Sequence, residues 1–259
     1  MPPDFAALFG IAAAGGLASP IGGAIAVWKR PTTLLLSIAV GFAAGVLLAT
    51  FAFEMLPKAV ATASLALAVA GFALGFALLY FLDLFVHRGA SAGPDAEQRS
   101  WVVCRRRQRQ ARGDEVTVLA GGTSAEELIE GIVIGVSAAT APSLGFMVGL
   151  AIVIDNVSES LSIGELIRKD EKPGAAWRIF KWTGLIGIAL FGSALAGWFL
   201  LKGLSPEILG FLLAAGAGGM FYLTVTDLVP QAQRHHFDQS AGVATAAGFL
   251  TIFALSNLV

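Results

Sequence analysis

Charge is scarce in this chain. Of 259 residues only 14% are Asp, Glu, Lys or Arg, against 56% hydrophobic, and mean hydropathy is +0.76. A soluble domain of this length needs far more charged surface, so the composition excludes a water-soluble globule and calls for a polytopic membrane protein. Cysteine is nearly absent as well. Cys104 alone cannot build a disulfide framework or a cysteine-based zinc site. No His-Glu-x-x-His occurs, which leaves a membrane zinc protease without support, and no enzyme is expected. The glycine-rich runs carry no phosphate-binding signature and the arginines gather in one loop, so no nucleic-acid partner is expected. Met1-Pro2-Pro3-Asp4-Phe5 lacks the basic start of a signal peptide, and the first apolar stretch is therefore read as a retained span.

What the chain has in quantity is apolar length. Eight stretches of about 20 residues, the number that crosses a hydrocarbon layer, fall at 5–28, 33–57, 60–86, 116–139, 143–167, 178–201, 205–230 and 241–258. The expected fold is all-α, one transmembrane domain over 1–259 in contact with the lipid bilayer. Its 31 glycines and many alanines suit helices whose backbones approach closely. Basic residues are strongly segregated. Lys29, Arg30, Arg88, Arg99, Arg105, Arg106, Arg107, Arg109, Arg112, Arg168, Lys169, Lys172, Arg178, Lys181 and Arg234 lie in or beside odd-numbered loops, and only Lys58 and Lys202 lie on the other side. The positive-inside rule puts the odd loops in the cytoplasm and both termini outside. The longest, 88–115, is read as a cytoplasmic basic loop that anchors topology, with contact to anionic headgroups as the alternative. His87, His235 and His236 fall at span ends on the same side, where interfacial solvation is the simpler reading and a weak metal site with Asp83 or Asp227 the other.

Two spans carry related sequences. Span two holds Ala44-Gly45 and then Glu54-Met55-Leu56-Pro57; span seven holds Ala217-Gly218 and then Asp227-Leu228-Val229-Pro230, at the same separations. The two spans run in opposite directions, so the repeat is inverted, as in many secondary transporters. Glu54 and Asp227 then become candidate access and exit carboxylates, or simply hydrated residues near helix ends.

The most informative charges are the buried ones. Glu126 and Glu130 sit four apart in span four, and Asp155 and Glu159 four apart in span five, with no Lys or Arg in either stretch. Residues four apart share a helix face. The short turn Thr140-Ala141-Pro142-Ser143 makes the two spans a hairpin. At about 1.5 Å per residue both pairs lie about 20 Å from that turn. Glu127 and Asn156 can lean toward the same face. A carboxylate at mid-membrane is costly and usually marks an ion or proton path. The chemistry points to a cation, protons or both held at Glu126, Glu127, Glu130, Asp155, Asn156 and Glu159. Mutually hydrogen-bonded acids with only a packing role are the costlier alternative.

This pattern resembles the ZIP family of divalent metal transporters, whose fourth span carries His-Asn-x-Pro-Glu-Gly and whose fifth carries His-x-x-Pro-Glu-Gly. Here the fourth reads Glu126-Glu127-Leu128-Ile129-Glu130-Gly131 and the fifth Asp155-Asn156-Val157-Ser158-Glu159-Ser160. Both histidines are acids here, both prolines are lost and the second glycine is Ser160. The resemblance implies a 3+2+3 arrangement of spans, a homodimer, and location in a cell membrane, a bacterial inner membrane being expected. It implies Glu126, Glu130, Asp155 and Glu159 as primary metal ligands, with Glu127 and Asn156 beside a second metal. The acidic bridging ligand of the family's sixth span has no counterpart, since 178–201 contains no Asp or Glu. An all-oxygen site suits Mn²⁺ or Mg²⁺, while Zn²⁺ and Fe²⁺ also accept carboxylates. The expected function is transport of a divalent metal cation toward the cytoplasm by alternating access. The alternative is a non-transporting relative that binds a cation for stability or sensing.

Overall fold

A computed structural model describes residues 3–86, 115–169, 173–234 and 236–258. The basic loop lies outside the described residues up to Glu115, and so do Cys104, Lys172, His87 and His235. Eight long helical spans account for nearly all of the described residues: α1 Pro3–Trp28, α2 Thr33–Thr62, α3 Leu65–Val86, α4 Glu115–Thr140, α5 Pro142–Lys169, α6 Ala175–Leu201, α7 Pro206–Gln233 and α8 Asp238–Ser256. Seven of them are long and apolar enough to cross a membrane. The eighth, α4, is as long but carries Glu126, Glu127 and Glu130. The chain is an all-α polytopic membrane protein.

Local chemistry sets most boundaries. Thr32 caps α2, its hydroxyl accepting from the Leu35 N–H at 3.2 Å, and Ser64 does the same for Leu67 at the head of α3, 3.3 Å. Pro142 opens α5 and Pro206 opens α7, where the missing N–H costs nothing. Gly174 precedes α6 with φ 79°, a left-handed conformation that glycine adopts freely.

One pair of boundaries differs from expectation. The apolar pattern stops span two at Pro57 and starts span three at 60, whereas α2 continues to Thr62 and α3 begins at Leu65. Thr50–Met55 is a π turn, and Pro57 stands at the first turn of the helical stretch Leu56–Thr62 that follows. The wider π turn frees the hydrogen bond that proline cannot make, so the helix survives it. The same device recurs in α7, with a π turn over Thr224–Leu228 followed by Pro230.

The helix packing is itself repeated. α1 packs on α5 as α6 packs on α4; α2 packs on α8 as α7 packs on α3; α1 meets α6, and α4 meets α5. Exchanging α1–α3 with α6–α8 and α4 with α5 maps the first four pairings onto one another in twos and the last two onto themselves. The glycines carry the correspondence to single residues. A Cβ on Gly45 would strike the Thr245 carbonyl and one on Gly218 the Phe72 carbonyl. One on Gly248 would strike the Phe42 carbonyl and one on Gly75 the Ala215 carbonyl. Every partner differs by 173 positions: 45 to 218, 72 to 245, 75 to 248, 42 to 215. Near the centre of the relation, Gly16 and Gly187 lie against each other's carbonyl. The fold is an inverted repeat whose halves close through backbone-to-backbone contact.

The loops after α1, α5 and α7 emerge at one end of the bundle, called here the basic end for Lys29, Arg30, Arg168, Lys169 and Arg234. The links α2–α3, α4–α5 and α6–α7 form the turn end.

Candidate metal site

α4 and α5 are joined by Ala141 alone. Its N–H donates to the Ser137 carbonyl at 2.9 Å and its own carbonyl accepts from the Gly145 N–H at 3.0 Å. The hairpin is tight because Gly145 lies against the Ala138 backbone, where a Cβ would come within 2.6 Å. Each helix is then clamped from outside by a small-residue contact. Gly131 of α4 faces the Ser193 hydroxyl of α6, while Ser160 of α5 faces Gly22 of α1, 2.9 Å from where its Cβ would stand. The departure at Ser160 is thus matched by a glycine on the helix it touches. Both helices run unbroken through the motif, as the loss of the prolines leads one to expect.

The hairpin brings the residues singled out by their spacing together. Asn156 Nδ2 donates to Glu127 Oε2 at 3.2 Å across α4 and α5, and to the Gly15 carbonyl of α1 at 3.4 Å. The bond to Glu127 joins residues equidistant from the turn and fixes the two motifs at one depth. Glu127 is 2% exposed, Glu130 and Asp155 6%, and Asn156 0%; Glu126 and Glu159 are half-buried. Glu126, Glu130 and Glu159 all lie within charge-interaction range of Asp155, and Glu127 within range of Glu130, Glu159 and Asp155. Glu159 also approaches the Thr123 hydroxyl and the Glu127 carboxyl closely enough to hydrogen-bond. The Ser193 hydroxyl donates to the Glu127 carbonyl at 3.3 Å, and that of Ser158 to the Asp155 carbonyl at 2.8 Å.

Three buried oxygens in this group accept nothing from the protein: Glu130 Oε2, Asp155 Oδ1 and Asn156 Oδ1. Ionised carboxylates are acceptors only, and so is a carboxamide oxygen. Leaving such atoms buried without a donor costs about 1–3 kcal/mol each, more for a charged group. No Lys or Arg occurs in α4, and those of α5 are confined to its last turn. The side chains are gathered without being drawn into a coordination sphere: among the described residues, no three Asp, Glu, His or Cys converge closely enough to hold an ion together. His236, at φ 62°, is exposed on the link between α7 and α8 and joins no such group.

Sequence reading set one participant aside. Asp227, in the π turn of α7, lies within charge-interaction range of both Asp155 and Glu159. Its place opposite Glu54 in the repeat and its nearness in sequence to His235 and His236 are the signals for it. The Gly15 carbonyl and the Ser193 hydroxyl carry none, since neither position is distinguishable from ordinary helix packing in the sequence.

No family model matches the chain. Among curated proteins, one named Zinc transporter ZupT from Corynebacterium efficiens is 31% identical over 92% of this chain and 94% of its own length. A protein of the same name from Corynebacterium glutamicum is 31% identical over 95% of this chain and 98% of its own. A third, from Salmonella arizonae, is 31% identical over 94% and 93%.

Proposed function

From the premise that this chain belongs to the ZIP family of divalent metal transporters, we propose that it moves a divalent cation toward the cytoplasm by alternating access, binding it between α4 and α5. Glu126, Glu130, Asp155 and Glu159 supply the primary ligands. Glu127 and Asn156, tied to each other, hold the hairpin register beside them. The observation that carries this reading is the set of buried acceptors on Glu130, Asp155 and Asn156 with no donor from the protein.

Zinc is the cation we put first, since the relatives are named for it. The donor set here is all oxygen, which extends the expected range to Mn²⁺ and Fe²⁺. One divalent ion offsets two of the five carboxylate charges gathered there. Protons or a second cation neutralise the remainder at mid-membrane depth, and protons in that role couple metal movement to proton exchange. The segregation of basic residues assigns the basic end to the cytoplasm and the termini to the outside.

Purified protein in proteoliposomes tests this directly, with Zn²⁺, Mn²⁺, Fe²⁺ and Mg²⁺ offered in turn. Saturable Zn²⁺ or Mn²⁺ flux that disappears in Glu130→Gln and Asp155→Asn is the expected result. Vesicles that move none of the four, or variants that move them as well as the natural chain, end the proposal.

A further inference from the structure

A cavity of about 90 Å³ opens at the basic end between α2, α5 and α7, and its charged lining consists of Glu165 and Lys169 from α5 and Arg234 from α7. The three charges are shared unevenly. Glu165 Oε1 lies 2.8 Å from Lys169 Nζ, a pairing made along α5 itself. Arg234, exposed at the end of α7, holds no ion pair among the described residues. Glu165 is 19% and Lys169 59% exposed. With the cavity open the carboxylate is thus partly hydrated and asks little of any partner.

The inverted repeat supplies a template for this end when shut. Between α4 and α5 the offset is 29, the separation that carries Glu127 onto Asn156 and Glu130 onto Glu159. It carries Val136 onto Glu165, Ser137 onto Leu166 and Thr140 onto Lys169, while the offset of 173 carries Ala61 onto Arg234. At the turn end these positions are closed over: Val136 is 2% and Ser137 0% exposed, Thr140 is half-buried, and Ala61 stays exposed. A transporter of inverted repeats changes access as one set of helices rocks against the other, each end taking in turn the packing of its counterpart. Closing the basic end in this way takes Glu165 to the depth that Val136 has now. Valine is sealed there readily, whereas an ionised carboxylate needs a cation beside it. Arg234, left at the rim as Ala61 is, has the reach and the planar fork to bind both carboxylate oxygens.

We infer that Glu165 and Arg234 form a charge latch between α5 and α7, joined when the basic end closes and parted in the open form described here. The inference rests on the alternating access of the transport reading above. The latch belongs to one end only. Val136 and Ala61 stand in its place at the turn end, which closes by apolar contact. Removing Arg234 strands the Glu165 charge on closure, and removing both leaves nothing to strand. The two substitutions therefore oppose each other.

Two measurements on the full chain test it. Ser137 is the counterpart of Leu166, which lines the open cavity. In a Cys104→Ser background, Ser137→Cys therefore reports opening of the turn end through its rate of maleimide labelling in detergent. Arg234→Gln should slow that labelling about tenfold, because the basic end no longer closes to let the turn end open. Adding Glu165→Gln should restore it. Zn²⁺ turnover in proteoliposomes should follow the same order, reduced about tenfold by Arg234→Gln and recovered in the double variant. A merely structural arginine predicts no effect, or losses that add without rescue, and either outcome overturns the inference. If the natural chain transports Zn²⁺ while its Ser137→Cys form is never labelled, the turn end does not open as the repeat requires, and this inference falls alone. If the natural chain transports nothing, the transport reading falls. Labelling that still obeys the order then keeps the latch, and labelling that does not removes it as well.

Discussion

The two ends of the bundle are related by the inverted repeat yet differ in chemistry. At the turn end, Leu209, Leu213, Val133, Val136 and Ser137 are buried and packed shut. Their repeat partners at the basic end, Leu36, Val40, Ser162, Glu165 and Leu166, line an open cavity. Backbone geometry is shared almost residue for residue, as the four glycine contacts show, while the side chains at the two ends are not. The lesson is a division of labour. Repetition builds the same helix scaffold at both ends, and unrepeated polar residues give the two ends different chemistry.

The sharpest way to break that comparison is at its centre, where the halves meet. Glu130→Gln and Asp155→Asn should each reduce Zn²⁺ or Mn²⁺ flux by more than the roughly 10–100-fold loss typical of outer-shell partners of a metal, measured in proteoliposomes. If only one of them is damaging, α4 and α5 do not share the ion. Next in size are the glycine contacts. Gly45→Ala and Gly218→Ala should lower stability by similar amounts, about 1–3 kcal/mol from overpacking against a carbonyl, read as matched drops in melting temperature in detergent. Gly75→Ala and Gly248→Ala should behave as a second matched pair. Unequal members would show that the repeat is one of topology without shared energetics. Asn156→Ala should weaken Mn²⁺ binding about tenfold, because the Glu127 carboxyl loses the partner that fixes it; calorimetry reads this. The smallest effect is a control. Gly184, on α6, has nothing within 4 Å of the place a methyl would occupy, so Gly184→Ala should be neutral or stabilising by up to about 1 kcal/mol from helix propensity.

Much of this is legible in the chain itself. Apolar length and loop charge locate all eight helices, and the paired spacing of Glu126, Glu130, Asp155 and Glu159 about one turn anticipates that these carboxyls gather. Legibility fails where a local rule meets a tertiary solution. Pro57 reads as a helix end, and only the π turn before it shows why α2 continues to Thr62. The apolar signal is weakest over α4, because Glu126, Glu127 and Glu130 depress it. Asp227 reads as a residue near a helix end, and its approach to Asp155 and Glu159 depends on how α7 packs. The Gly15 carbonyl that receives Asn156 cannot be found in advance, because every residue has a carbonyl and only the fold selects one.

The π turns have a consequence for how this sequence can change. Each accommodates one residue beyond the α-helical path, locally, so that the segments on either side keep their rotational phase. Removing a single residue between Thr50 and Met55, or between Thr224 and Leu228, should therefore close the π turn and set Pro57 or Pro230 into a regular α ladder, where its missing N–H and its ring kink the helix. Glu54 or Asp227 would be carried round by about 100° on the helical wheel at 3.6 residues per turn. The extra residue in each π turn is what lets a carboxylate and a proline stand three positions apart in one continuous span.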